Sequence, residues 1–379
     1  MEPPIRPLIA SLHEIPDPRY PQGRRHPLAA ILALMCVAMR CGYRSDSAMA
    51  EWGRCYGQKL AQALGFTHAK PPCAATLYQV LRRWDGPLGE ATWGAWAESV
   101  LTALPPAPGE PDALAIDGKT LRGSRKQGAP AAHLLSVRSH RLGLTLWQQA
   151  VVDQTNAIPV LEDVLRQLVL EGRVITVDAL LTQRAIAQHI VEGSGDDVMV
   201  VKGNQPRLYH DIHLLFQDVD TLAEPMAAAE TVDVGHGRIE QRRLTSSTAL
   251  VGYTDGPGLA QAFQLERHVT MKASRVQRSE VVYGVTSLRP GQAGPERLLG
   301  LVRQHWQIEN KGHWVRDVTF DEDRSQVRCG SIPQVMAAFR NTAIGLMHWA
   351  GETNIAAACR HFAAQPWLAL ALIGITPEN

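Results

Sequence analysis

Two acidic residues end apolar runs, at positions where carboxylates could act together on a phosphodiester. Asp117 ends the run Ala113-Leu-Ala-Ile-Asp117, and Asp178 ends Arg173-Val-Ile-Thr-Val-Asp178. Both runs have the composition of short buried β-strands. Two carboxylates at one sheet edge repel each other, and a divalent cation relieves that repulsion. The aspartates therefore predict a site for Mg²⁺ or Mn²⁺, ions that prefer oxygen ligands and share coordination with phosphates.

A third carboxylate, Glu309, lies in a segment with helical periodicity that also carries basic and aromatic residues. In a regular α-helix, steps of four, four and three residues fall on one face. The residues predicted to share this face are His305, Glu309, His313 and Arg316. We expect this face to meet the two aspartates. Two metal ions about 4 Å apart can stabilise both the attacking and the leaving oxygen of a phosphodiester.

Each carboxylate also has an ordinary structural interpretation. Asp117 precedes Gly118, and Asp-Gly is a common turn pair. Asp178 can cap the N-terminus of the following helix. Glu309 can be a solvated carboxylate paired with Arg316. These alternatives stay open at the level of sequence.

Two other types of site are disfavoured. A metal site formed by His305, Glu309 and His313 would place three ligands on one straight helix, which encloses an ion poorly. Gly118-Lys-Thr120 ends like a phosphate-binding P-loop, but Ala113 stands where that motif requires glycine.

The elements that must position these residues follow from the hydrophobic pattern. Strands are predicted at 113–117, 133–139, 144–152, 173–178 and 197–201, and helices at 159–168, 182–191 and 206–216. Three strands followed by alternating helices and strands is the order of the ribonuclease-H-like fold, a mixed sheet flanked by helices. The first and fourth strands are neighbours in that fold, so Asp117 and Asp178 are expected at the same end of the sheet.

Composition shifts divide the chain into parts. The Pro-rich segment Pro105–Pro111 is the clearest linker. We predict an α/β protein: a small all-helical N-terminal DNA-binding domain at 1–105, a ribonuclease-H-like catalytic domain at 112–230 and 290–350, a β-rich insertion at 231–289 and a C-terminal tail at 351–379. The segments Leu28–Met39, Ala75–Trp84, Leu88–Leu104, Pro295–Val318 and Pro333–Trp349 are predicted to be helical, the last packing on the sheet.

The overall composition indicates a globular protein of two to three domains in 379 residues. Thirty-eight Lys and Arg against 37 Asp and Glu give a net charge of +1, so any nucleic-acid surface must be local. The six cysteines form no CxxC pair, which indicates a reducing cytoplasm rather than a zinc ribbon or disulfide framework. The run Leu28–Met39 is shorter than the roughly 20 residues that span a bilayer, so we expect no membrane partner.

Several longer motifs resemble the H-repeat-associated DDE transposases of bacterial insertion sequences, over residues 8 to 349. The catalytic-domain motifs are Ala115-Ile-Asp-Gly-Lys-Thr-Leu-Arg-Gly-Ser124, Val200-Val-Lys-Gly-Asn-Gln205, Gly235-His-Gly-Arg-Ile-Glu240, His305-Trp-Gln-Ile-Glu-Asn310 and Asp317-Val-Thr-Phe320. The N-terminal motifs are Ser11–Arg19, Gly23–Pro27 and Ala50–Gly53, which resemble that family's N-terminal associated region.

The resemblance implies a DNA-cutting and DNA-joining enzyme in which Asp117, Asp178 and Glu309 bind two Mg²⁺ or Mn²⁺ ions. It further implies double-stranded DNA as partner, both element ends and target, a homodimer on DNA, and a place at the bacterial nucleoid. The wider class has a Tyr, Arg, Glu and Lys signature around the glutamate. Here Val302, His305 and Arg316 occupy the Tyr, Arg and Lys positions. Two alternatives are a DNA-binding remnant without activity and a metal-dependent nuclease that does not join DNA.

A DNA-contacting surface is predicted from basic and aromatic residues in both parts of the chain. The residues expected to contact DNA are Arg24, Arg25, Arg82, Arg83, Lys119, Lys202, Asn204, Arg238, Arg242, His305, Trp306, Asn310, His313 and Arg316. The alternatives are a plain helical bundle for the N-terminal arginines and a surface turn for Lys202. They also include a cross-strand charge ladder around Glu240 and core packing for Trp306 and Trp314.

Overall fold

The computed structural model describes residues 5–22, 24–84, 86–107, 110–126, 130–151, 157–217 and 226–376. The chain forms two compact units. The first comprises Met1–Pro108, Gly118–Gln154 and Ile308–Asn379, and the second comprises Gly109–Asp117 and Thr155–Gln307. This division differs from the predicted domain boundaries, because packing joins segments that are distant in sequence. Residues 108 and 109 of the predicted linker lie outside the described residues.

The first unit is mainly helical. Its helices are α1 (Leu8–His13), α2 (Leu28–Arg40), α3 (Asp46–Ala63), α4 (Ala74–Arg83), α5 (Gly86–Ala103), α10 (Trp314–Val318), α11 (Ile332–Trp349), α12 (Ile355–Ala364) and α13 (Pro366–Ala371). Helix α2 is buried along its whole length, as its apolar sequence predicts, and it packs against α3, α11, α12 and α13. The N-terminal helices therefore share one core with the C-terminal helices instead of forming a separate domain.

A β-hairpin completes the first unit. Strands β2 (His133–Ser139) and β3 (Thr145–Val151) pair antiparallel, and α5 and α11 pack on β3. The prediction that the helix at 333–349 packs on strands is confirmed. The segment expected to be a tail instead contains α12 and α13, because their apolar residues cover α2. Residue 152 of the predicted third strand and residues 377–379 lie outside the described residues.

The second unit contains a mixed sheet. Its strands are β1 (Asp112–Thr120, of which the residues up to Asp117 belong to this unit), β4 (Arg173–Val177), β5 (Asp196–Val201), β6 (Ala227–Gly235), β7 (Arg238–Ser247), β8 (Gln261–Met271) and β9 (Gln277–Thr286). The strand order is β1-β4-β5-β9-β8-β7-β6. Strands β1, β4 and β5 are parallel, and the other pairings are antiparallel. The helices are α6 (Ala157–Gln167), α7 (Arg184–Glu192), α8 (Pro206–Gln217) and α9 (Pro295–His305).

The predicted order of three strands followed by alternating helices and strands is confirmed. The segment predicted as an insertion is rich in strands, and it continues the same sheet because β9 pairs with β5. The turn between β6 and β7 explains why glycine occupies position 237 in the motif Gly235–Glu240. His236 and Gly237 have φ angles of 48° and 74°, as in the two-residue hairpin turn that favours glycine.

Candidate active site

The two aspartates lie on neighbouring parallel strands at the same edge of the sheet. Strands β1 and β4 pair with Ile116 opposite Val177, so Asp117 and Asp178 are the next residue of each strand. Ile116 and Val177 are fully buried, whereas both aspartates are partly exposed. The predicted adjacency of these two strands is confirmed, and it places two carboxylates side by side where the chain leaves the core.

Asp178 has a local structural role as well. Its Oδ1 accepts hydrogen bonds from the backbone N–H groups of Leu180 and Leu181, both at 3.1 Å. The following helix, α7, begins only at Arg184 and has Gln183 as its N-cap. The helix-capping alternative is therefore wrong, because Asp178 closes the turn after β4. Among the described residues, both of these hydrogen bonds to the Asp178 side chain are accepted by Oδ1.

Residues after β5 support the same turn from the neighbouring strand. Asn204 Nδ2 donates to the carbonyl of Ala179 at 2.6 Å, and Gln205 Nε2 donates to the carbonyl of Thr182 at 2.7 Å. Asn204, which we expected to contact DNA, thus fixes the backbone beside Asp178. Lys202 is exposed at this edge, in a position compatible with either of its two interpretations.

The segment that carries Glu309 is not one regular helix. Helix α9 ends at His305, Glu309–His313 forms a π-helical turn, and α10 follows from Trp314. The shared face predicted for His305, Glu309, His313 and Arg316 assumed one regular helix, and that assumption is wrong because the wider turn shifts the angular register of the residues after it. Glu309 is exposed, whereas Arg316 is only 1% exposed. π-Helical turns of this kind occur frequently at functional sites.

Arg138 of β2 explains why glycine occupies position 312 in this turn. A Cβ atom at Gly312 would overlap Arg138 Nη1, at a distance that real Cβ atoms essentially never show. Arg138 is buried, and its Nε donates to the carbonyl of Gly143 at 3.0 Å. Burial, together with the nearby Arg316, lowers the pKa of Arg138 to about 10, so it remains charged. A buried guanidinium therefore lies directly against the turn that presents Glu309.

Arg316 belongs to a buried ion cluster. Its Nε donates to Glu322 at 2.8 Å, and Arg340 Nη1 donates to the other carboxylate oxygen of Glu322 at 2.9 Å. All three side chains are at most 3% exposed. Arg316 is therefore not the ion-pair partner of Glu309, contrary to the alternative considered for that residue. Its burial makes it a structural element of the first unit, and we leave it out of the proposed DNA surface.

Lys119 is also buried and paired. Its Nζ donates to both carboxylate oxygens of Asp317, at 2.7 and 2.6 Å. Nearby, His313 has a pKa well below its ordinary value, because of burial and of the positive charges of Arg316 and Lys119. His313 is therefore neutral at neutral pH. These contacts indicate that Lys119 organises the interior of the first unit rather than meets DNA directly.

Of the residues around the end of α9, some pack in the interior and others lie at the surface. His305 is buried, and its Nδ1 is 2.8 Å from the hydroxyl of Thr176 on β4. Trp306 packs on the core of the second unit, with the guanidinium of Arg267 at 5.9 Å from its ring. The core alternative therefore fits Trp306. Trp314 is 57% exposed and Asn310 is exposed, so both lie at the surface.

The arginines of β7 form the cross-strand charge ladder considered above. Arg238 and Arg242 lie 3.4 and 2.7 Å from the carboxylate of Glu240, and Arg267 of β8 also contacts it. Glu240 is 4% exposed, and the Arg242 side chain is 10% exposed. Three arginines share the carboxylate of Glu240, and Arg242 also pairs with Asp233 at 2.5 Å, which weakens the case for phosphate binding by Arg242.

The N-terminal arginines remain at the surface of the first unit. Arg25, Arg82 and Arg83 are exposed, and the Arg83 guanidinium lies 5.9 Å from the ring centroid of Tyr20. Arg24 Nε donates to the carbonyl of Arg19 at 2.8 Å, which holds the loop before α2. Arg82 and Arg83 end α4, which corresponds to the helix predicted at Ala75–Trp84.

The candidate metal ligands of the second unit are its two aspartates, Asp117 and Asp178. Among the described residues, no group of three or more His, Cys, Asp or Glu side chains lies close enough together to hold an ion. A pair of carboxylates nevertheless fits the donor set that Mg²⁺ takes from a protein when phosphate oxygens and water supply the remaining ligands. Asp117 and Asp178 are such a pair, on neighbouring strands.

Four structural residues were not predicted from sequence: Arg138, Gly312, Asp317 and Glu322. Asp317 begins one of the family-like motifs, and that position was the only signal available for it. The other three depend on packing that the sequence does not show. No local pattern marks them.

The fold and the paired aspartates define an α/β protein with a carboxylate site at the edge of a mixed sheet. Residues 108–346 match the family model described as the Transposase DDE domain, and residues 9–97 match the model described as DDE_Tnp_1-associated. The chain belongs to the family of transposases with a DDE domain. The resemblance inferred from its motifs is confirmed.

Two relatives and one solved structure show the extent of this similarity. The chain is 26% identical over 354 residues to the "H repeat-associated putative transposase YhhI" of Escherichia coli K12, covering 90% of each protein. It is 34% identical over 257 residues to an uncharacterized protein in the dhlA 3′ region of Xanthobacter autotrophicus, covering 66% of this chain and 85% of that protein. A cryo-EM structure of the piggyBac transposase synaptic complex with hairpin DNA matches with a TM-score of 0.45 and 11% identity. That match covers 97% of this chain and 78% of the other.

In the described segments of the chain, no helix is long and apolar enough to cross a bilayer.

Proposed function

We propose that this chain is a DNA transposase that cleaves the ends of an insertion sequence and joins them to target DNA. The observation that carries the proposal is the pairing of β1 with β4, which sets Asp117 beside Asp178 in a chain that belongs to the DDE transposase family. Family membership supports a ribonuclease-H-like catalytic core, and the order of strands and helices is consistent with it.

In this proposal Asp117 and Asp178 hold Mg²⁺ or Mn²⁺, with Glu309 as a further ligand and two ions as the expected number. Bound divalent ions supply charge that stabilises the attacking and leaving oxygens of a phosphodiester. The protein's own contribution is to fix the carboxylates. The β1–β4 register sets the positions of both aspartates, and the backbone N–H groups of Leu180 and Leu181 orient the Asp178 side chain.

DNA is held by exposed basic and aromatic residues in this proposal. Those that the structure leaves at the surface include Arg24, Arg25, Arg82, Arg83, Lys202, Asn310 and Trp314. Since both element ends must be paired before cutting is safe, we propose a homodimer on DNA.

The proposal is tested with the purified full-length protein and a plasmid that carries the DNA flanking its own gene. The reactions contain Mg²⁺, Mn²⁺ or EDTA. We expect metal-dependent cuts at defined ends, followed by joined products. Asp117→Asn, Asp178→Asn and Glu309→Gln should each lower cleavage more than about tenfold while DNA affinity is kept, because each removes a charge that holds the ions.

Glu171→Gln is the matched control. Glu171 is exposed in the turn just before β4, at the opposite end of the strand from Asp178, and its substitution should leave cleavage unchanged. Residual activity above about a tenth in the three site variants would contradict the assignment. Breaks without joined products would identify a nuclease, and DNA that is bound but uncut in every metal would identify an inactive remnant.

A further inference from the structure

The first unit also contains a basic surface that is separate from the residues proposed above to contact DNA. Two short 3₁₀ turns, Arg122–Ser124 and Glu322–Arg324, pack against each other and border an open groove of about 820 Å³. We call it the basic groove. The charged residues that line it are Arg122, Arg125, Lys126, Asp323, Arg324 and Arg328.

The groove is built by specific contacts between the two turns. A Cβ atom at Gly123 would lie 2.5 Å from the carbonyl oxygen of Ser325 and 2.8 Å from that of Glu322, so only glycine allows this approach. Arg328 Nε donates to the carbonyl of Gly123 at 3.1 Å and closes the arrangement. The basic side chains therefore project from a fixed backbone rather than from independent loops.

Positive charge exceeds negative charge in this groove. Asp323 lies 3.8 Å from Arg122, and Asp321, beside the groove, lies 3.7 Å from Arg324. In the portion of the chain that the structure describes, no carboxylate lies within ion-pair distance of Arg125 or Lys126, and both are exposed. The buried Glu322 does not offset this excess, because Arg316 and Arg340 already compensate it.

We propose that the basic groove binds the sugar–phosphate backbone of double-stranded DNA, with Arg125 and Lys126 contacting phosphates. The inference rests on the proposed function and adds a DNA-contacting region to it. The groove is open and is lined by bases and by the polar residues Ser325 and Gln326. These groups suit phosphate oxygens and read no base sequence. An extended polyanion fits an open, multiply basic groove better than a single enclosed anion does.

The experiment measures the affinity of the full-length protein for a fluorescent DNA duplex by anisotropy, between 50 and 200 mM salt. It compares Arg125→Ala/Lys126→Ala with the control Arg166→Ala/Arg289→Ala, which removes two exposed arginines elsewhere. Each phosphate contact contributes a slope of about −0.9 to the logarithmic salt dependence, so the groove variant should lose about 1.8. At 0.1 M salt, each phosphate contact raises the DNA affinity about eightfold relative to 1 M salt. Loss of two contacts should therefore raise the Kd about sixtyfold.

The control should keep the wild-type slope and stay within about threefold of the wild-type Kd, since it removes no phosphate contact. A groove variant that behaves like this control, while wild type binds DNA, overturns the groove and leaves the proposed function standing. Wild-type protein that binds no DNA overturns both. Titration with inorganic pyrophosphate tests whether the groove instead binds a small free anion. If the groove variant loses pyrophosphate binding but keeps its DNA affinity, the groove is a small-anion site and the proposal is wrong.

Discussion

The contact between Arg138 and Gly312 predicts how a single methyl group will affect this protein. Gly312→Ala places that methyl group at a position already occupied by Arg138 Nη1. Arg138 cannot move away freely, because it is buried and its Nε is hydrogen-bonded to the carbonyl of Gly143. Adding atoms to a well-packed site costs about 1–3 kcal/mol.

A second effect opposes this cost. Alanine is favoured over glycine in a helical backbone by about 1 kcal/mol. The net change at position 312 is therefore a destabilisation of between about 0 and 2 kcal/mol, the sum of these two effects. Gly300 in α9 provides the matched control, since no atom lies within 4 Å of the Cβ position there. Gly300→Ala should stabilise its unit by up to about 1 kcal/mol.

Thermal unfolding followed by circular dichroism compares the two variants with wild type. A change of 1 kcal/mol corresponds to about 2–4 °C for units of this size. Gly312→Ala should lower the melting temperature or leave it unchanged, whereas Gly300→Ala should raise it. Repeating Gly312→Ala in an Arg138→Gln background should cost less than in wild type, because the two positions are in contact. If Gly312→Ala stabilises as much as Gly300→Ala, the guanidinium does not constrain the turn that presents Glu309.

Two further predictions concern buried carboxylates. Glu322→Gln leaves Arg316 and Arg340 without their shared charge, which should cost about 3–5 kcal/mol and be visible as a large fall in melting temperature. Burial opposes ionisation of Glu322, but the two arginines outweigh it and hold its pKa below the ordinary value, so its contribution to stability should be lost as acid titration passes below about pH 4. Glu90 shows the opposite behaviour, because burial raises its pKa to about 7 from 4.5 despite two amide hydrogen bonds. Ionisation then favours the unfolded chain, so stability should fall by on the order of 3 kcal/mol between pH 4.5 and 7, and denaturant titrations of Glu90→Gln should show no such fall.

Much of the second unit could be predicted from local patterns in the sequence. The apolar runs before Asp117 and Asp178 become β1 and β4, since a strand buried on both faces needs continuous apolar residues. The alternation of strands and helices also predicted the parallel neighbours correctly. The side-by-side placement of the two aspartates follows from that topology.

The geometry around Glu309 could not be predicted in the same way. A helical period was assumed from His305 to Arg316, and nothing in that segment encodes a π-helical turn. The side chain that packs against Gly312 of this turn is Arg138, which lies in β2, far away in sequence. Similarly, the sequence identifies arginines but not their environment. Arg316 is buried because Glu322 and Arg340 surround it, whereas Arg125 is exposed in a groove that only the packing of two turns creates.

The position of β5, between a parallel and an antiparallel neighbour, has a consequence for how the second unit folds. Strands β6 to β9 follow one another in sequence and pair as successive hairpins, which form on a microsecond timescale. Pairing of β5 with β9 instead joins Val198 to Thr286 and closes a long loop, and the parallel strands need helical crossovers. We expect the antiparallel half to form early and to serve as a template for β5 and then β4. The strand that leads into Asp178 would then reach its place only after β5 has joined the antiparallel strands.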